Sequence, residues 1–140
     1  MVIWNEKLAC GSSRIDLQHQ MLINNINHLE GMLASSNHTP EECAFLVHLV
    51  EFLETYAEMH FQFEEDCMER NVCPAHKQNK EAHQQYRDFF SEFKRRYTAE
   101  GLRPEILQEL HEAASAWIEN HILRVDTQLK SCLKSATAPA

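Results

Sequence analysis

Helix-breaking residues are scarce: the 140-residue chain has 3 glycines and 4 prolines. A turn-rich β-sandwich needs many more, so a few long helices are expected instead. No apolar run approaches the roughly 18 residues that a membrane-spanning helix needs. The opening Met1-Val2-Ile3-Trp4-Asn5-Glu6 lacks the basic end and apolar stretch of a secretory leader. Bases are in deficit, 13 against 21 acids for a net charge of −8, which makes nucleic acid a poor partner. The cysteines number five, an odd count, and form no C-x-x-C pair. That predicts no disulfide framework and a reducing, cytoplasmic setting. With 44% hydrophobic and 24% charged residues, the composition is that of one ordinary globular domain. The excess is in histidine, 9 in so short a chain.

Four stretches carry helical periodicity, divided by the few helix breakers. The first opens near Ser13, with Asp16 at capping-box spacing, and its stripe runs Ile15, His19, Leu22, Ile26, Leu29, Leu33. The second opens at Thr39-Pro40-Glu41-Glu42, with Thr39 as N-cap and Pro40 at the first helical position. Its stripe is Phe45, Leu49, Phe52, Tyr56, His60, Phe63, Cys67, with Asn71 as a left-handed stop. Pro74 starts the third, whose stripe is His76, Asn79, His83, Tyr86, Phe90, Phe93, Tyr97; Gly101 ends it. Pro104 starts the fourth: Leu107, Leu110, Ala114, Trp117, His121, Val125. Short linkers make sequential helices antiparallel neighbours. The expected architecture is all-α: an up-down-up-down antiparallel four-helix bundle, with an N-terminal arm carrying Trp4 laid across it. Residues 1–134 form the domain, and the small-residue segment 135–140 is a tail or the start of a linker.

Each stripe holds a histidine where an apolar residue belongs: His19, His60, His83 and His121. One such histidine is more often a hydrogen-bonded core residue than a ligand. Four, one per helix, would leave several ring nitrogens without partners, and a shared metal would satisfy them together. His60 and Glu64 lie one helical turn apart on the same face. His121 and Asp126 are five apart, roughly 140° around an ideal helix. Both reach one centre only if Asp126 approaches from a flank or the helix widens, so a π-bulge-like distortion is expected there. Four imidazoles and two carboxylates exceed what one tetrahedral zinc takes. They suit two octahedral ions bridged by the carboxylates, and without thiolates they suit iron or manganese.

The segments Trp4 with Ile15-Asp16-Leu17-Gln18-His19-Gln20-Met21-Leu22, then His60-Phe61-Gln62-Phe63-Glu64-Glu65-Asp66-Cys67-Met68, then Trp117-Ile118-Glu119-Asn120-His121-Ile122 with Asp126 together resemble the bacterial hemerythrins. The resemblance covers essentially the whole chain, in order and spacing. It implies a non-haem di-iron centre that binds O2, with two iron ions (Fe2+/Fe3+) and an oxo or hydroxo bridge. Glu64 and Asp126 would be the bridging carboxylates. His19 and His60 would serve the iron with an open position, His83 and His121 the other. Leu22, Trp117, Ile118 and Ile122 fall where the family lines its oxygen pocket. One departure stands out: Asn79 occupies the place of a fifth histidine. The second iron there holds solvent or accepts the Asn oxygen, and His76, two turns from His83, is too far to substitute.

His28, His38, His48 and His111 are expected at surface or boundary positions. Cys67 is expected as a packed thiol, with no Cys67–Cys73 bridge. The resemblance implies O2 binding in a sensing domain of a signalling protein, such as a diguanylate cyclase or chemotaxis receptor. The expected partner besides O2 is a covalently attached output domain or a separate protein; neither nucleic acid nor a membrane is expected. Two alternatives stand beside it: a free-standing oxygen carrier or store, and a di-iron enzyme acting on peroxide or nitric oxide. The enzyme reading lacks an extra general acid or base on the ligand faces.

Overall fold

The computed structural model describes residues 1–35, 39–101 and 103–137. It is all-α: α1 (Ser13–Ser35), α2 (Pro40–Arg70), α3 (His76–Glu100), α4 (Pro104–Arg124) and a short α5 (Leu129–Thr137), with no strand among the described residues. Helix α1 packs against α2 and α4, and α3 packs against the same two, so the four long helices close into a bundle of antiparallel neighbours. No helix of the described residues is long and apolar enough to cross a membrane.

The N-terminal arm lies on this bundle. Val2 and Leu8 are buried, Trp4 packs against the core, and Asn27 of α1 pins Val2 through both backbone groups, at 3.1 and 2.7 Å. The arm meets α1 at a cap one residue earlier than expected. Ser12, not Ser13, is the N-cap, its hydroxyl accepting from the Ile15 N–H. Asp16 reaches back past it to accept from the Cys10 N–H at 2.9 Å. Thr39 caps α2 as its sequence predicts, accepting from the Glu42 N–H, with Pro40 at the start.

The far end of α2 is a correction. Asn71 is not the left-handed residue (φ −95°); Val72 is, at φ 50°. Bonds from Val72 N–H to Glu69 O and from Cys73 N–H to Met68 O complete a Schellman-type stop. The turn through Pro74 delays α3, which begins at His76. Gly101 ends α3 at φ 88°, outside the range open to other residues.

The inner faces of α1, α3 and α4 follow the expected positions, with Leu33, His76, Tyr97 and Trp117 only partly buried. That of α2 does not. Leu46, Leu49, Val50, Leu53, Ala57, Phe61 and Glu64 face inward, whereas Phe45 and Phe52 are 46% exposed. This helix carries two apolar stripes side by side, and periodicity alone does not choose between them.

The chain after α4 gives two further corrections. The expected widening at Asp126 is a tightening: α4 stops at Arg124, and Asp126–Gln128 form a 3-10 turn before α5. A disulfide joins Cys73, before α3, to Cys132 on α5, with Cα atoms 5.4 Å apart. It overturns the expectation of reduced cysteines throughout, although Cys67 remains free and buried. Helix α5 also carries regular structure to Thr137, past the start of the expected tail; 138–140 lie outside the described residues.

Candidate metal centre

Four helices and the 3-10 turn place six donor side chains at one point inside the bundle. His19 comes from α1, His60 and Glu64 from α2, His83 from α3, His121 from α4 and Asp126 from the turn. All six are buried, with Glu64, His83 and Asp126 at 0% exposure. The turn is what brings Asp126 in: by ending the α-helix after Arg124 it removes the angular mismatch with His121.

The two carboxylates divide the histidines into pairs. Glu64 Oε2 lies 3.0 Å from His19 Nε2 and 3.3 Å from His60 Nε2. Its other oxygen, Oε1, lies 3.1 Å from His83 Nε2 and 4.0 Å from His121 Nε2. Asp126 repeats the pattern, with Oδ2 3.1 Å from His19 and Oδ1 3.0 Å from His121. The ligand atoms of His19, His60, Glu64 and Asp126 lie within 4.8 Å of one another, and so do those of Glu64, His83, His121 and Asp126. These are two four-donor clusters that share both carboxylates.

Hydrogen bonding among the six does not account for the arrangement. His83 Nε2, Glu64 Oε1 and both Asp126 oxygens are buried without a hydrogen-bond partner, although nitrogens and oxygens sit about 3 Å apart. Apart from the His19 Nε2–Glu64 Oε2 hydrogen bond, the atoms converge on shared points rather than aligning along N–H···O axes. Orphaned buried atoms of this kind are costly unless a cation lies between them. Two imidazoles and two carboxylate oxygens per cluster, without thiolate, fit divalent iron or manganese.

Charge responds strongly to this crowding. Burial disfavours protonated His19, but the Asp126 and Glu64 carboxylates outweigh it and push the pKa up to about 10. Burial raises Glu64, and the His19, His60 and His83 imidazoles beside it overcome that and hold the carboxyl well below its ordinary value. His60 moves the other way: burial wins over Glu64 and lowers it. His83 is raised, because Glu64 and Glu65 together offset its burial.

The outward-facing ring nitrogens reveal two residues to which sequence reasoning gave no role. The His60 Nδ1–H donates to Gln18 Oε1 at 2.7 Å, and the His83 Nδ1–H donates to Glu65 Oε2 at 2.9 Å, with Arg87 3.5 Å beyond. Each bond fixes the tautomer whose Nε2 faces the centre. Their only sequence signal was adjacency, Gln18 beside His19 and Glu65 beside Glu64. His19 Nδ1 has no hydrogen bond, and the Cys10 thiol and the Asp16 carboxylate lie within 4.8 Å of a His19 ring nitrogen.

Around the centre the wall is aromatic. Phe61 stacks on His83 at 3.9 Å between ring centroids, Trp117 stacks on His121 at 4.5 Å, and the edge of one meets the face of the other. Leu22, Ile118 and Ile122 belong to the main buried core, while Trp117 is only partly buried against it. Asn79 is fully buried, accepting from the His121 Nε2–H at 2.8 Å, and its Nδ2 has no partner.

The other histidines stand apart from the centre. His28 and His48 are exposed, His76 is half-buried at the start of α3, and His38 lies outside the described residues. His111 corrects the surface expectation: it is buried, 3.6 Å from Glu30 of α1 and 3.4 Å from Ser115.

Residues 10–133 match the family described as Hemerythrin HHE cation binding domain. The chain is 30% identical over 125 residues to the bacteriohemerythrin of Pseudomonas aeruginosa (strain LESB58), an alignment covering 89% of this chain and 76% of that protein. It is 29% identical over 122 residues to the bacteriohemerythrin of Stenotrophomonas maltophilia (strain R551-3), covering 87% and 74% respectively. With a family match spanning nearly its whole length, the chain belongs to the hemerythrin family.

Proposed function

We propose that this chain is a non-haem di-iron protein that binds O2 reversibly and serves as an oxygen- or redox-sensing domain. The observation that carries the reading is the two-sided use of Glu64 and Asp126. Each aims one oxygen at a different histidine pair, as bridging of two cations requires. His19 and His60 would hold one ion, His83 and His121 the other, and both carboxylates would span them. When bound, a ferrous pair supplies electrons that let O2 bind and leave again.

The chain's own residues do the rest. Gln18 and Glu65 hold His60 and His83 in the tautomer that presents a lone pair inward. His19 has to release its proton before an ion can take its Nε2, so binding competes with protons at that nitrogen. Phe61 and Trp117 cover His83 and His121, and Leu22, Ile118 and Ile122 keep the surroundings apolar. A dry wall of this kind admits a small neutral gas more readily than water or ions, which slows irreversible oxidation.

Sensing is favoured over carriage by the continuation of α4 through the Asp126 turn into α5, because a bridging residue then sits at the root of a separate helix. Its output would be an attached domain or a protein partner, and its setting the cytoplasm. The test is metal analysis of purified protein, anaerobic reduction, and titration with air under a spectrometer. Two irons per chain and a visible band that appears with air and vanishes on deoxygenation are expected. Fewer than two irons, or steady consumption of peroxide without a reversible band, would overturn the reading, the latter in favour of an enzyme. Hydrogen exchange in α5 that is identical with and without O2 would remove the sensing role.

A further inference from the structure

The docking of α5 rests on few features. It is nine residues long, too short to hold a helix in water by itself. Leu129 at its start is fully buried, while Cys132 and Leu133 are half-buried, against a small cluster that contains Cys10, Ile15, Cys67, Met68 and Cys73. The backbone of Lys130 lies against Gly11 so closely that a Cβ built there would come within 3.1 Å of Lys130 Cα. The remaining tie is covalent: Cys132 is bonded to Cys73, 59 residues away in the turn between α2 and α3. Asp126 sits three residues before Leu129, at the root of the same segment.

We propose that the Cys73–Cys132 bridge is a thiol–disulfide exchange site that decides whether α5 stays docked, and through α5 how firmly Asp126 is held. Closed, the bridge fixes the far side of α5 while Leu129 fixes its root. Opened, it leaves buried Leu129 and half-buried Leu133 to hold a helix that does not persist alone. Cys132, the more exposed of the two cysteines, is the point of attack for an incoming thiol, because Cys73 is buried. The co-reactant is a dithiol. Its thiolate attacks Cys132 Sγ, the Cys73–Cys132 bond breaks, and Cys73 leaves as a thiolate that takes up a proton. The second thiol of the reductant then resolves the mixed disulfide. The reductant ends as a disulfide and both cysteines as thiols, a transfer of two electrons and two protons. The reverse reaction consumes an oxidised dithiol. The α5 half of the proposal stands on packing alone, and the Asp126 half rests on the metal-centre reading above.

The experiment uses the full chain, air-oxidised or treated with dithiothreitol, with thiols alkylated after denaturation and counted by mass. Three of the five cysteines are expected to react before reduction and all five after it. Amides of 129–133 are expected to exchange with deuterium at least tenfold faster in the reduced protein. Cys132→Ser should reproduce that rate without reductant, Cys73→Ser should do the same if the first variant folds poorly, and oxidised dithiothreitol should restore protection in the wild type. Alkylation of all five thiols before reduction, or equal exchange in both states, overturns the α5 half. Co2+ retention on dialysis reads the other half: the reduced protein is expected to lose the ion severalfold faster. Equal retention overturns the coupling to Asp126. Absence of Co2+ binding in both states overturns that coupling together with the metal-centre reading, and leaves the α5 half to the exchange data.

Discussion

Val72 holds a left-handed conformation, φ 50°, with its side chain 86% exposed. A β-branched residue there crowds its own backbone and gains no packing in return, at a cost of roughly 1–2 kcal/mol. Glycine removes the clash but loses more freedom on folding, so Val72→Gly is expected to stabilise by about 1 kcal/mol. Chemical denaturation would show this as a higher midpoint, and an unchanged midpoint would count against strain at this turn. Asn79 offers a neutral oxygen beside His121 where imidazole would bind an ion more firmly. Asn79→His is expected to raise iron retention severalfold, measured as iron per chain after dialysis against a chelator; equal retention would sink that account. At this scale the sequence was most informative where a residue broke a pattern. His19, His60, His83 and His121 each interrupt an apolar stripe, and their convergence could be anticipated. Gln18 and Glu65 interrupt nothing, because a polar residue beside a candidate ligand looks like any other polar residue.

Among the elements, α5 and the turn that feeds it were the least legible. Helix α4 reads as one continuous stripe to Val125 and beyond, and nothing local in Arg124-Val125-Asp126 announces the 3-10 turn. The turn follows from where Asp126 must point, a tertiary demand that overrides local preference. The Cys73–Cys132 bond was equally hidden, since pairing across 59 residues needs the folded topology. Leu129 is the buried root of α5, and Leu129→Ala is expected to cost about 2–5 kcal/mol. If the loss is local, hydrogen exchange in 126–133 rises while the midpoint of global unfolding stays put. If α5 belongs to the cooperative core, the midpoint falls as well. A variant with neither change would show that Leu129 does not anchor the helix. Helix α2 was misread for another reason: Phe45 and Phe52 form an apolar line that competes with the true inner face.

Across the whole molecule, α1 and α4 share two polar sites, one buried and one half-buried. One is the candidate centre, and the other is His111 facing Glu30, ten residues or roughly 15 Å earlier along α4. Burial lowers the His111 pKa, partly countered by Glu30, whose other neighbour is the Met1 amine at 3.4 Å. A histidine with a depressed folded value contributes its full stability above pH 6.5 and loses it as the pH falls towards that value. Wild type is therefore expected to lose more melting temperature between pH 7 and pH 5 than His111→Gln. Parallel curves for the two proteins would show that His111 is not the source. The general architecture was readable because a bundle is set by stripe count and linker length, both of which are local quantities.

One indole deserves use as an instrument. The chain has 2 tryptophans, and Trp117 lies nearly parallel to His121, with 14° between the ring planes. A paramagnetic cation on that imidazole would drain the excited state of the indole, whereas Trp4 on the arm packs against the core without stacking on a histidine ring among the described residues. Emission should therefore dim as iron loads and brighten again on chelation, and Trp117→Phe should abolish most of the change. Dimming that persists in Trp117→Phe would place the quencher near Trp4 instead. The molecule carries its own lamp for counting occupancy, with no dye attached.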